Sequence, residues 1–117
     1  MRERRQFPRY IYGSESKVAE LASGLQHVVT VEVIGTRGCL TKGGTLPPVG
    51  QKCELQLDWH GREIRLPAEV AWKNKDGRAG LKFVTIPDDE MKLLRGLCGS
   101  LQLLPLVPTP QEPRPEQ

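Results

Sequence analysis

The stretch Lys52–His60, KCELQLDWH, alternates apolar and polar side chains along its length. Cys53, Leu55, Leu57 and Trp59 fall on one face, and the charged and amide residues between them fall on the other. Successive side chains of a β-strand point to opposite sides of a sheet. The pattern therefore predicts a strand with one buried face near the middle of the chain.

Two further strands are predicted to follow it in antiparallel order. His60-Gly61 indicates a tight turn, and Asp76-Gly77 indicates a hairpin with a primed turn, because both residue types tolerate positive φ. The third strand is predicted over 79–85. The inward-facing positions predicted for the second strand are Ile64, Leu66, Ala68, Val70 and Trp72.

The first half of the chain has weaker strand signals. Short apolar runs at 17–21 and 28–34 flank a Ser-Gly-Leu-Gln turn, and a turn at 36–38 leads into a further strand at 39–41. A short helix over Ser16–Leu25 is the alternative for the first run, since its apolar residues also fit helical spacing. Five or six short strands of regular spacing favour a small closed barrel, so the fold class is all-β.

One helix is predicted after the strands, and an irregular segment after the helix. Pro87-Asp88-Asp89-Glu90 places a proline and three acids where a helix begins, and Gly99 is predicted to end it. An apolar stripe of Met91, Leu94, Leu97 and Leu101 would pack on the barrel. The proline-rich residues 105–117 predict a flexible tail, because prolines interrupt regular structure.

The excess positive charge lies in residues 1–9. Of the 17 Lys and Arg and 14 Asp and Glu in the chain, four arginines and one glutamate lie there, which leaves 13 of each sign elsewhere. Residues 1–10 are therefore predicted to form a basic arm on a neutral barrel at 11–104. Arginine offers paired donors that match phosphate oxygens and the O6/N7 edge of guanine, so the arm could clamp a guanine nucleotide. The alternative, which charge alone favours, is a disordered basic tail that aids solubility or binds polyanions loosely.

The residues indicate no catalytic or metal site. His27 and His60 both fall at predicted turns, with no cluster of cysteines or carboxylates at metal-ligand spacing. We therefore expect no enzyme activity, no metal and no cofactor. Three widely spaced cysteines favour reduced thiols, and the arginine-rich start lacks the apolar stretch of a secretory signal. Together these features predict a cytoplasmic protein without a membrane-inserted segment.

The layout resembles the PilZ domain family. The resemblance rests on Arg-Arg-x-x-x-Arg at 4–9, on Ala-Glu-Val-Ala-Trp at 68–72, on Gly-Leu-Lys-Phe at 80–83 and on the acidic helix start at 87–94. It extends from Arg4 to about Leu97. It implies a small six-stranded antiparallel β-barrel with a C-terminal helix packed on it. It also implies a bacterial signalling protein, because many PilZ domains are receptors for cyclic di-GMP (c-di-GMP).

The resemblance also implies ligand-binding residues. In the family, an Arg-x-x-x-Arg segment and an (Asp/Asn)-x-Ser-x-x-Gly segment hold the ligand. The first corresponds to Arg5 and Arg9, with Arg4 as a helper. The second corresponds to residues 33–38 and keeps only Gly38, and Arg37 is a candidate substitute for a phosphate contact. Its first and third positions hold the departures Val33 and Gly35.

Val33 lacks the acid or amide group of the family pattern, and Gly35 lacks the hydroxyl group. Val33 is interpreted instead as an extension of the apolar row of Val29 and Val31. Three functions stay open. The first is a c-di-GMP receptor of altered affinity. The second is a ligand-independent adaptor that binds an unidentified protein. The third, nonspecific binding of nucleic acid through the arm, is disfavoured by the neutral barrel and its few aromatic residues.

Overall fold

The computed structural model describes residues 8–104, which form an antiparallel β-barrel followed by one helix. A short strand β7 (Gln102–Leu103) comes after the helix α1 (Asp88–Gly99). The six barrel strands are β1 (Arg9–Glu20), β2 (Gln26–Gly35), β3 (Gly38–Lys42), β4 (Lys52–Trp59), β5 (Arg62–Lys73) and β6 (Arg78–Phe83). The predicted six-stranded barrel with a C-terminal helix is confirmed.

The strands follow the order β2-β3-β6-β5-β4-β1-β7, and pairing of β1 with β2 closes the barrel. The alternative helix over Ser16–Leu25 is wrong, because β1 continues to Glu20 and pairs there with both β2 and β4. The strand also begins earlier than the predicted barrel boundary at residue 11. Arg9 and Tyr10, assigned to the basic arm, already pair with β2.

The barrel interior is filled mainly by aliphatic side chains, and β3 contributes Cys39 and Thr41. The predicted inward rows of β4 and β5 are confirmed from Cys53 to Leu57 and from Ile64 to Val70. Each large aliphatic side chain that leaves water in this way contributes about 1.5–3 kcal/mol. The other fully enclosed large side chains are Val18, Val29, Val31, Ile34 and Leu94.

Two irregularities in strand register reverse the alternation on neighbouring parts of the barrel. In β2 the register shifts between Val31 and Val33, and in β5 it shifts between Val70 and Trp72. An extra residue in one strand of a pair turns the side chains beyond it to the other face. Val33 therefore does not extend the inward row, which Ile34 continues instead, and Trp72 is 43% exposed rather than inward.

The observed turns agree in part with those predicted from the sequence. His60 and Gly61 both have positive φ, 52° and 74°, as expected for a two-residue turn. The prediction of a primed turn at Asp76-Gly77 is wrong, because Asn74 stabilises a longer loop between β5 and β6. Its Oδ1 accepts hydrogen bonds of 3.0 Å from the backbone N–H groups of Asp76 and Arg78, so only Gly77 needs positive φ.

The other histidine lies in a strand rather than in the predicted turn. His27 belongs to β2, and its Nε2 lies 2.6 Å from Oε2 of Glu20 on the partner strand. The contact ties together the ends of β1 and β2 next to their hairpin. His27 therefore contributes to the barrel rather than to a metal cluster.

The helix packs on the barrel through the predicted stripe and through one glycine. Leu94, Leu97 and Cys98 are buried, and the ends of the stripe are partly buried. Gly96 lies against Trp59 at the end of β4, and a Cβ at Gly96 would be 2.8 Å from Cζ3 of the indole. This helix, the only one among residues 8–104, is too short to cross a membrane.

Gly96→Ala is expected to destabilise the protein although alanine favours a helix. Alanine gains up to about 1 kcal/mol in helix propensity over glycine. Overpacking against the Trp59 ring costs about 1–3 kcal/mol, so we expect a net loss of about 1 kcal/mol in the free energy of unfolding. Urea unfolding of both proteins measures the difference. A more stable Gly96→Ala protein would contradict this packing.

Candidate functional site

A cavity of about 320 Å³ lies on the outer surface of the barrel, over strands β2, β3, β5 and β6. Its floor is a row of four residues that are neighbours across the sheet. Val33 pairs with Leu40, Leu40 with Gly80, and Gly80 with Trp72. Three of the four carry apolar side chains, so the cavity has an apolar floor that faces outward.

The two register shifts create this floor. Without them, Val33 and Trp72 would point into the barrel with the other members of their rows. The shifts turn both side chains outward onto the same face, at opposite ends of the row. Bulges beside functional sites commonly re-aim side chains in this way.

Positive charge surrounds the floor. Arg9, Arg37 and Lys82 all line the cavity. Among the described residues of the lining, none carries a carboxylate or a side-chain amide. Three cations around an apolar floor favour an anionic ligand, and their side chains can offer hydrogen-bond donors to phosphate oxygens.

The start of the described chain packs directly on the position where the family pattern has serine. Arg9 pairs with Gly35, and a Cβ on Gly35 would lie 2.8 Å from the Pro8 carbonyl oxygen. On the other side of Arg9, its carbonyl oxygen accepts a 2.7 Å hydrogen bond from the N–H of Leu104. The glycine at 35 therefore permits Pro8 to rest against the barrel.

Gly38 has a separate packing requirement. It pairs with Lys82 of β6, and a Cβ at Gly38 would collide with the carbonyl oxygen of Leu81. Such an approach between backbone atoms leaves no room for a side chain. Gly38 thus lines the cavity and also permits close pairing of β3 with β6.

The structure brings several of the predicted residues together. Arg9, Arg37 and Gly38 line one cavity with the departures Val33 and Gly35. Arg4 and Arg5 lie outside the described residues. No ligand contact of any of these residues is tested by the geometry, so their roles remain predictions.

Glu32 cannot replace the acid that Val33 lacks. Its Oε1 lies 2.9 Å from Nε of Arg78. The pairing raises the pKa of Arg78 further and holds the carboxylate away from the cavity lining. Glu32 therefore does not supply the hydrogen-bond acceptor that the family pattern has at position 33.

Sequence reasoning missed Leu40, Lys82 and Trp72 as cavity residues. Strict alternation placed Trp72 inside the barrel, and only the register shift in β5 reveals its outward position. Gly80, directly opposite Trp72, is the one signal in the sequence, because a glycine within a strand often accompanies a close approach.

The cysteines do not provide chemistry at this site. Burial raises the pKa of the Cys39 thiol strongly, and burial raises those of Cys53 and Cys98 to about 11. All three are free and buried, so they stay protonated at neutral pH and are poor nucleophiles. Within residues 8–104, no group of three or more potential ligands could hold a metal ion.

Comparison with known proteins identifies the class of this barrel. The sequence model of the PilZ domain matches residues 3–100. The chain belongs to the PilZ domain family. PilZ domains are typically receptor or adaptor domains rather than enzymes, and the family is associated with c-di-GMP as a ligand.

Solved structures share the fold at low sequence identity. The PilZ domain of CeSA from a cellulose synthesizing bacterium has a TM-score of 0.64 and 16% identity, covering 76% of this chain and 96% of that one. The PilZ domain with c-di-GMP of YcgR from Escherichia coli has a TM-score of 0.64 and 14% identity, covering 85% of this chain and 92% of that one. PlzA of Borreliella burgdorferi, in complex with c-di-GMP, has a TM-score of 0.63 and 13% identity, covering 82% of this chain and 41% of that one. No curated protein sequence matches the chain significantly.

Proposed function

We propose that this protein is a cytoplasmic, non-enzymatic PilZ signalling module that binds c-di-GMP in the cavity above β2, β3, β5 and β6. The observation that carries the proposal is the convergence of Arg9, Arg37 and Lys82 on one outward cavity with an apolar floor. c-di-GMP carries two phosphates and two guanines, which match guanidinium donors. Neighbouring folds described in complex with c-di-GMP support the same ligand.

Within this proposal the residues have distinct roles. Arg9, the first residue of β1, contacts a phosphate or a guanine. Arg5 contacts the ligand from the basic arm, with Arg4 as a helper. Arg37 contacts a phosphate from the loop between β2 and β3. Gly38 keeps that loop close to β6. Ligand binding changes the surface that a partner protein meets.

The departures at Val33 and Gly35 favour a second candidate, a ligand-independent adaptor. Loss of one base-edge contact costs about 1–3 kcal/mol, which is roughly a five- to 150-fold loss of affinity. Loss of a neutral hydroxyl contact costs about 0.5–1.5 kcal/mol more. An adaptor would use the same barrel to bind a protein without any nucleotide.

Isothermal titration of the full chain with c-di-GMP tests the proposal. We expect saturable binding by the wild type and a loss of affinity of at least about tenfold in Arg9→Ala and in Arg5→Ala, because each loses a charge-assisted contact. Arg65→Ala is the matched control. Arg65 lies outside the cavity lining and contacts Glu63 at 2.9 Å, so its removal should leave affinity unchanged.

Two results would contradict the receptor. One is wild-type protein that releases no binding heat up to millimolar c-di-GMP, which would favour the adaptor. The other is equal weakening in Arg65→Ala and Arg9→Ala, which would indicate a general effect of net charge. Circular dichroism of each variant verifies that the barrel is intact.

A further inference from the structure

The indole of Trp72 covers Gly80 on the cavity floor. A Cβ at Gly80 would lie 2.6 Å from Cε2 and 2.8 Å from Cδ1 of the indole, so only glycine leaves room for the ring there. The side chain is nevertheless 43% exposed. An aromatic ring that is packed on the sheet and open to a cavity can stack against a flat ligand group.

The part of the floor next to Trp72 suits the face of a base. Leu40 continues the apolar surface away from Trp72 along the same cross-strand row, and Val33 lies at the far end of that row. A purine laid over this row would cover apolar side chains with its face. Base–aromatic stacking contributes about as much for one base as for another, because every base has a π-face.

The groups around the floor discriminate poorly between purines. Guanine presents N1–H and N2–H donors, which need an acceptor, and the described lining offers no carboxylate or amide side chain. Arg9, Arg37 and Lys82 are donors. They can reach N7 of either purine and the phosphates, and only O6 gives them a reason to prefer guanine.

We infer that Trp72 is a stacking platform for one purine of a cyclic dinucleotide, and that the site accepts adenine as well as guanine. The inference rests on the proposed function and deepens it, because it names the ligand class of the same cavity as cyclic purine dinucleotides. Affinity comes from stacking and from the cations. Among the described lining groups, only the contact to O6 favours guanine.

Titration of the wild type with c-di-GMP and with cyclic di-AMP tests the selectivity. A complete bidentate contact to a base favours the correct base over the wrong one about five- to 150-fold in affinity. A site that retains only the O6 half of such a contact should bind c-di-GMP less than about thirtyfold more tightly than cyclic di-AMP. A larger preference for c-di-GMP overturns the inference and leaves the proposed receptor intact. Failure of both ligands to bind overturns the inference and the receptor together.

Variants of Trp72 test the platform. Trp72→Leu should weaken both ligands about ten- to a hundredfold, because it keeps an apolar side chain and removes the ring. Trp72→Phe keeps a ring and should weaken them less. Undiminished binding of both ligands by Trp72→Leu would overturn the stacking role even if the receptor binds c-di-GMP.

Fluorescence gives a readout that a purely structural role would not change. The chain has two tryptophans, so Trp59→Phe leaves Trp72 as the only one. Stacking should quench its emission at saturating c-di-GMP and at saturating cyclic di-AMP. Trp72→Phe, which retains only Trp59 under the helix, should show no quenching. Binding heat without quenching in Trp59→Phe would contradict the platform.

Discussion

Gly38→Ala is expected to lower the free energy of unfolding by about 2–3 kcal/mol. The new Cβ would collide with the Leu81 carbonyl oxygen, and neither atom can move without separating β3 from β6. Overpacking of this kind costs about 1–3 kcal/mol, and a backbone obstacle belongs at the upper end because no side chain can rotate away. Urea unfolding followed by circular dichroism measures the change.

Gly99→Ala is the matched control. Gly99 ends the helix, and a Cβ there would meet nothing within 4 Å. The same substitution should therefore not lower the free energy of unfolding, and the helix propensity of alanine can raise it by up to about 1 kcal/mol. Equal stability of Gly38→Ala and Gly99→Ala would contradict the close pairing of β3 with β6.

This prediction affects how Gly38 is interpreted. A loss of c-di-GMP binding in Gly38→Ala could come from a lost ligand contact or from separation of the strands that carry the cavity. Unfolding and binding must be measured on the same protein. A glycine in a ligand motif can be required by the backbone of its own barrel.

Val33→Asp is expected to raise the affinity for c-di-GMP about five- to 150-fold. Val33 is half-buried at one end of the cavity floor, where a carboxylate can accept hydrogen bonds from N1–H and N2–H of guanine. The affinity for cyclic di-AMP should not rise, because adenine lacks those donors. Parallel titrations with both nucleotides measure the two responses.

Val33→Ala is the control for the loss of the valine side chain, since it removes volume without adding an acceptor. We expect it to leave the preference between the two nucleotides unchanged. Equal affinities of wild type and Val33→Asp for c-di-GMP would mean that position 33 does not face a base edge.

Gly35→Ser should not have the same benefit, although serine is the residue of the family pattern. Its Cβ would lie 2.8 Å from the Pro8 carbonyl oxygen, so the start of β1 would have to move. That movement would carry Arg9, which pairs with Gly35, away from its present position. Restoration of the family pattern is therefore better attempted at position 33 alone.

Much of the fold follows from local pattern. The alternation over Lys52–His60 determines a half-buried strand, because the period of two allows only one face to be apolar. The acidic start at Pro87-Asp88-Asp89-Glu90 determines where the helix begins. The paired arginines and the motifs at 68–72 and 80–83 also indicated, by resemblance, the PilZ family.

The site depended on long-range pairing. Alternation placed Trp72 inside the barrel and Val33 in the row of Val29 and Val31, and both predictions were wrong. Each fails at a register shift, which arises where a strand meets its partner and which the strand's own residues do not specify. The same holds for Gly35 and Gly38, whose close contacts come from distant segments.

The sequence by itself determined most of the strands and the start of the helix, since these depend on composition and on periodicity within one segment, and its motifs indicated the class of protein by resemblance. Tertiary structure alone decided which side chains form the cavity floor. The physical reason is that one extra residue in a strand reverses every side chain beyond it, and only the pairing between strands reveals where that residue lies.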